Sequence, residues 1–149
     1  MNIKKLKYII ATGFGIGYAP IAPGTAGSLA ALLLFIFIPI DDYIWLAISI
    51  IMFVIGIWVS GAIENDKGKD PAIVVIDEFV GQWIALVFLP RTLWIFIAGF
   101  LMFRFLDIIK PFPAADLEEL DGGVGIMLDD IIAAIYTNMA LHLTLIFIS

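Results

Sequence analysis

Long apolar runs separated by short polar breaks organise this chain, at residues 26–40, 43–63, 72–89, 93–109 and 125–148. Lipid-facing barrel strands would alternate apolar and polar residues, whereas a stretch such as IWLAISIIMFVIGIWVSGAI (44–63) is apolar on every face, as a membrane helix is. Several of the runs approach the roughly 20 residues that cross a hydrocarbon core of about 30 Å. The first is short for a span and calls for tilt, local thinning or help from the segment before it. Pro39 with Asp41 and Asp42, then ENDKGKDP (64–71), PRT (90–92) and KPFPAADLEELDGG (110–123), mark the breaks with Pro, Gly or charge. The pattern predicts an all-α fold. It is a polytopic membrane bundle of about five apolar helices, preceded by an irregular Gly/Pro-rich segment, in a single integral-membrane domain over residues 1–149.

Composition agrees with a bilayer protein: 62% of the residues are hydrophobic and 15% charged. The net charge of −6 disfavours nucleic acid as a partner, and with no cysteine there are neither disulfides nor thiolate metal sites. The N-terminus, MNIKKLKYII, has the charge of a signal peptide. Gly13, Gly15, Gly17, Pro20 and Pro23 interrupt its apolar run, however, and it lacks an A-x-A cleavage site, so it is expected to be mature sequence.

Charge then orients the bundle. Lys4, Lys5 and Lys7 place the N-terminus in the cytoplasm. Five spans from there put seven of the eight basic residues on the inner side, with Arg91 outside. Of the 14 acidic residues only Asp41 and Asp42 fall outside. Asp70, Asp77 and Glu78 enter the third run, Arg104, Asp107 and Lys110 leave the fourth, and Asp129 and Asp130 open the fifth, all on the cytoplasmic side.

An Asp at the centre of a membrane helix costs roughly 2.5–3.5 kcal/mol, so each of these residues requires a partner, water or an ion. Asp77 and Glu78 are expected some six residues, roughly 9 Å, into their helix. Five carboxylates around one cavity (Asp77, Glu78, Asp107, Asp129 and Asp130) cannot all stay ionised without cations. A hard divalent metal with oxygen ligands is the economical solution, and Mg²⁺ leaves room for water and phosphate. Plain ion pairing with Arg104 and Lys110 is the structural alternative. Arg104, Asp107 and Lys110 step by three residues and form a slanting stripe, in which Arg104 offers a planar fork to phosphate and Lys110 a point charge. In ATGFGIGYAPIAPGTAGS (11–28) the G-x-G-x-G run lacks the strand and helix of a dinucleotide fold. Free N–H groups around Gly24 and Thr25, just before an apolar helix, suit an anion, and close helix packing would use the same small residues. His142 reads as structural.

Taken together, ATGFGIGYAPIAPGTAGSLAALLL, DPAIVVIDEFVGQWIAL, FRFLDIIKPFP and DGGVGIMLDDIIAA, in this order, resemble the phosphatidylglycerophosphatase A family of bacterial membrane lipid phosphatases. The resemblance runs nearly end to end. It implies Mg²⁺-dependent hydrolysis of phosphatidylglycerophosphate to phosphatidylglycerol and phosphate, at the cytoplasmic face of the bacterial inner membrane. Carried over position by position, it points to Asp77, Glu78, Asp107, Asp129 and Asp130 for catalysis. Asp77, Glu78, Asp129 and Asp130 would hold metal, and Arg104, Lys110, Gly24, Thr25 and Asp70 would bind substrate. A single His and no Cys exclude phosphatases built on paired histidines or a cysteine nucleophile, and a D-x-D-x-T run is absent. Attack by water and an aspartyl-phosphate intermediate both remain open chemically. The competing class is a small ion- or proton-coupled transporter subunit using the same carboxylates, and one-sided clustering argues against a path through both leaflets.

Overall fold

A computed structural model describes residues 2–148, and among them the chain is helical with no strand. The elements are α1 (Ile3–Ala11), a 3₁₀ turn (Ile16–Tyr18), α2 (Pro23–Phe37), α3 (Asp42–Lys67), α4 (Ile76–Leu86), α5 (Leu93–Ile109), α6 (Ala114–Glu118) and α7 (Gly123–Ile148). Five of them, α2, α3, α4, α5 and α7, correspond to the five apolar runs. Two were not expected: the amphipathic α1, and α6 within the polar break before the last run.

Local chemistry sets the ends. Asn2 caps α1 by accepting from the Lys4 N–H at 3.0 Å, and Asp41 caps α3 by accepting from the Tyr43 N–H at 2.8 Å. Pro23 opens α2 at the position where its missing N–H costs nothing. α3 stops at Gly68, whose φ of 94° few other residues tolerate.

Helix α7 is the axis of the bundle, packed against α3, α4, α5 and α6, while α4 lies between α2, α3 and α7. At Gly123 the backbones of α7 and α3 meet so closely that a Cβ would overlap the Ile57 carbonyl. Aromatic rings lock α2, α3 and α4 together: Phe35 to Trp45 at 5.1 Å, Trp45 to Trp83 at 5.1 Å and Phe79 to Trp83 at 5.8 Å between centroids. The Trp83 indole also donates to the Ala31 carbonyl at 3.0 Å. Outward faces stay apolar, with Ile44, Ile50, Ile51, Val54 and Trp58 exposed on α3 and Met139, Leu143, Ile146 and Phe147 on α7. Helices α3 and α7, each 26 residues, are long and apolar enough to cross a membrane.

The third run departs from expectation. Only Ile76–Leu86 is helical, about 16 Å at 1.5 Å per residue, and too short to span by itself. Residues 68–75 are irregular, and the Val75 N–H bonds to the Ala11 carbonyl at 2.9 Å. On the other side of α4 the chain returns to the start of α3. There the Phe88 N–H donates to Asp42 at 3.1 Å and Arg91 pairs with Asp42 at 2.9 Å. Asp77 and Glu78 therefore occupy the first turn of α4, not a position six residues into a helix. Hydropathy reads 72–75 as helix because apolar residues fill it, but this segment is buried by packing and not by helical periodicity.

Candidate active site

One cavity of about 310 Å³ collects residues of five segments. Ala22, Pro23 and Gly24 come from the start of α2, Asp70, Pro71, Ala72 and Val74 from the irregular segment, and Asp77 and Glu78 from the start of α4. Arg104, Asp107 and Lys110 come from the end of α5, and Asp129 and Asp130 from the second turn of α7. Of the residues expected from sequence, Thr25 alone does not line it. One step along the helix turns its side chain about 100° from Gly24. Gly24 lies against the site, since a Cβ there would overlap the Glu78 carboxylate and sit 3.0 Å from Arg104 Nη2. Its N–H and that of Thr25 fall in the first turn of α2, where donors have no acceptor within the helix.

The carboxylates form two overlapping groups. Asp77, Glu78 and Asp130 each offer an oxygen within 4.8 Å of the others, and so do Asp107, Asp129 and Asp130. Asp77 is 7% exposed and Asp130 2%. The Arg104 guanidinium contacts Asp107 and lies 3.7 Å from Glu78. Lys110 contacts Asp129 and reaches Glu118 at 2.8 Å. Ion pairing thus accounts for part of the cluster. It leaves Asp77 Oδ1, Glu78 Oε2 and Asp130 Oδ2 buried without a hydrogen-bond partner. Orphaned oxygens on acidic side chains, with no histidine or cysteine in either group, fit a hard divalent cation.

Two groups at the rim show what the site does to charge. Loss of water around Asp70 pushes its carboxyl above the usual aspartate value, with Glu118 and Asp107 adding to the shift and Lys110 opposing it. For Lys110 loss of water favours the neutral amine, but Asp129 and Glu118 outweigh it and raise the pKa above the usual lysine value, keeping the side chain cationic.

Strain concentrates here too. Among the described non-glycine residues, five have positive φ, and three of them line the cavity: Ala22 at 47°, Asp70 at 44° and Lys110 at 53°. Each such residue costs about 1–3 kcal/mol unless its surroundings enforce it, and such residues gather at functional sites. Ala22 turns the chain into α2 and Lys110 turns it out of α5.

A sequence profile described as PgpA: Phosphatidylglycerophosphatase A matches residues 9–145, nearly the whole chain. The chain belongs to the phosphatidylglycerophosphatase A family. Phosphatidylglycerophosphatase A of Escherichia coli is 40% identical over 144 residues, covering 91% of this chain and 81% of that protein. Its Haemophilus influenzae namesake is 41% identical over 134 residues, covering 87% and 82%. A Bacteroides thetaiotaomicron protein, provisionally named a phosphatidylinositol-3-phosphatase, is 41% identical over 141 residues, 89% of each chain. No solved structure matches. Membership in the phosphatidylglycerophosphatase A family makes this protein a phosphatase. The acidic residues read from its sequence are those the fold brings to one cavity. What sequence reading missed is Glu118, the second partner of Lys110, hidden in a break that carried only composition. It also missed the wall made by Pro71, Ala72 and Val74, of which Ala72 and Val74 had read as membrane helix.

Proposed function

We propose that this protein is a Mg²⁺-dependent lipid phosphatase that hydrolyses phosphatidylglycerophosphate to phosphatidylglycerol and phosphate. It acts as a single multi-pass domain of the bacterial inner membrane, with the cavity open to the cytoplasmic leaflet. The observation that carries the reading is the convergence of five carboxylates, Arg104 and Lys110 on one cavity at the start of α2.

Asp77, Glu78, Asp129 and Asp130 would hold divalent metal. When bound, it supplies Lewis-acid polarisation of a phosphoryl oxygen and a lowered pKa for an attacking water. Arg104 presents its fork, and Lys110 its point charge, to the phosphate oxygens, which also meet the N–H group of Gly24. These donors face the charge that develops as the ester bond breaks. A carboxylate of the cluster orients the water and receives its proton. Asp70, at the rim, contacts the headgroup. The acyl chains stay in the leaflet, along the exposed apolar faces of the helices.

The name of the Bacteroides relative favours a second substrate, a phosphoinositide carrying a phosphate monoester. Purified protein in detergent, given each lipid with and without Mg²⁺, separates the two. Phosphate release from phosphatidylglycerophosphate that disappears on chelation supports the proposal. Release from the phosphoinositide alone replaces the substrate, and release from neither removes the enzyme reading.

A further inference from the structure

The two carboxylate groups of the cavity are not equivalent, and they share one residue. Asp130 belongs both to the trio with Asp77 and Glu78 and to the trio with Asp107 and Asp129. We propose that the cavity holds two divalent cations bridged by Asp130, a tight one on Asp77, Glu78 and Asp130, and a weak one on Asp107, Asp129 and Asp130 that binds together with phosphate. This rests on the metal-dependent phosphatase reading above and adds to it the number, order and ligands of the ions.

Three observations support the division. In each trio the oxygens lie within 4.8 Å of one another, close to the spread of about 3–4.2 Å expected for ligands at 2.0–2.1 Å from an octahedral ion. Every member of the first trio carries a buried oxygen with no hydrogen-bond partner: Asp77 Oδ1, Glu78 Oε2 and Asp130 Oδ2. An unsatisfied buried acceptor is costly, and a cation removes that cost. In the second trio Asp107 and Asp129 are already compensated, because Arg104 contacts Asp107 and Lys110 contacts Asp129.

The consequence is an order of loading. The first position gains a cation without breaking any pair. Arg104 stands near it only through Glu78, at 3.7 Å. At the second position a cation must displace Arg104 from Asp107 and Lys110 from Asp129, and breaking partly buried pairs without a new partner is strongly unfavourable. A phosphate monoester supplies that partner, since its oxygens accept from the guanidinium and ammonium groups so released. Charge points the same way. Six carboxylates, one guanidinium and one ammonium line the cavity and leave four negative charges if all are ionised. A single divalent ion would leave the cavity negative before a phosphate dianion arrives, whereas two neutralise it.

Mn²⁺ alone, titrated into the full chain in detergent and followed by equilibrium dialysis and low-temperature electron paramagnetic resonance, tests this without reference to turnover. The expected result is two Mn²⁺ per chain, the first at least about tenfold tighter than the second given the ion pairs to be displaced. A spin-coupled signal should grow with the second, and inorganic phosphate should tighten the second only. Asp129→Asn should keep the tight ion and lose the coupled signal, and Asp77→Asn should weaken the tight ion. Because the stoichiometry and the coupling are read on the wild-type protein, a variant that fails to fold does not obscure the result. One Mn²⁺ at saturation with phosphate present, or two without spin coupling, would overturn the proposal. Mg²⁺-dependent release of phosphate by a protein that binds one ion leaves the phosphatase reading intact and removes this one. Two coupled ions in a protein that hydrolyses no lipid phosphate does the reverse.

Discussion

The backbone of Gly24 rests against the carboxylate of Glu78, so that the N-terminus of α2 and the first turn of α4 share one wall of the cavity. A methyl group at Gly24 would collide with that carboxylate and press on Arg104. Gly24→Ala is expected to lower phosphatase turnover by about 100-fold, the scale of a misplacement near 1 Å. Thermal unfolding in detergent should change little, because the collision involves side chains at the cavity and not the packed core. Unchanged turnover would separate the start of α2 from the chemistry.

Lys110 leads to a different expectation. It bridges Asp129 and Glu118 from a left-handed position at the end of α5. If it also grips phosphate, Lys110→Met should raise KM or lower kcat/KM by about 10- to 100-fold, the worth of one charge-assisted contact of ~1.5–3 kcal/mol. Glu118→Gln removes only the outer partner and should cost far less. Steady-state kinetics on both variants gives the comparison, and equal losses would mean that Lys110 acts through Glu118 and not on substrate.

Asp70 carries a pH signature. Its folded pKa is raised, chiefly by loss of water, so the folded state holds a proton that the unfolded chain releases. The associated stability is fully present below the unfolded aspartate value of about 3.9 and is lost as pH rises through the folded value. Asp70→Asn keeps a side chain that tolerates positive φ and removes the ionisation. In the absence of divalent ions it should unfold at a higher temperature than wild type at pH 7, with the difference vanishing below about pH 4. A variant less stable than wild type at pH 7 would contradict the assignment.

The sequence carried more of this site than of the backbone that builds it. The apolar runs announced α2, α3, α5 and α7 because long stretches that are apolar on every face leave an unambiguous hydropathy signal. The acid pairs Asp77–Glu78 and Asp129–Asp130 and the stripe Arg104, Asp107, Lys110 stood out because charge in such runs is expensive. Counting spans then put them at one end, and the fold brings all seven to one cavity. The start of α4 was not legible. Ile73, Val74 and Val75 are as apolar as the helix that follows, and what keeps them irregular is tertiary: Gly17 abuts the Ile73 carbonyl, and the Val75 N–H is taken by Ala11. Thr25 failed as a lining residue for a related reason, since proximity in sequence does not fix the face of a helix. The pairing of Lys110 with Glu118 depends on how the chain turns through α6, which no local pattern encodes.

The α3–α7 crossing that holds the second acid pair in place can be tested by stability alone. Gly123→Ala would push a methyl group into the Ile57 carbonyl, which is backbone and cannot swing aside. A loss of ~1–3 kcal/mol is expected, as for overpacking elsewhere, or roughly 2–12 °C in unfolding temperature for a chain of this size. Unfolding of the purified protein followed by circular dichroism gives the value, and an unchanged temperature would show that the helices do not approach this closely.

The central claim is that the carboxylate cavity is where phosphate is cut from the lipid. Its most direct test is phosphate release from phosphatidylglycerophosphate by wild type and Asp130→Asn, each purified in detergent and assayed with Mg²⁺ and with chelator. Removing one member of a catalytic unit costs orders of magnitude. Wild type should release phosphate only with Mg²⁺, and a folded Asp130→Asn should fall at least about 1,000-fold below it. Equal release by the two proteins, or release that survives chelation in both, would contradict the account.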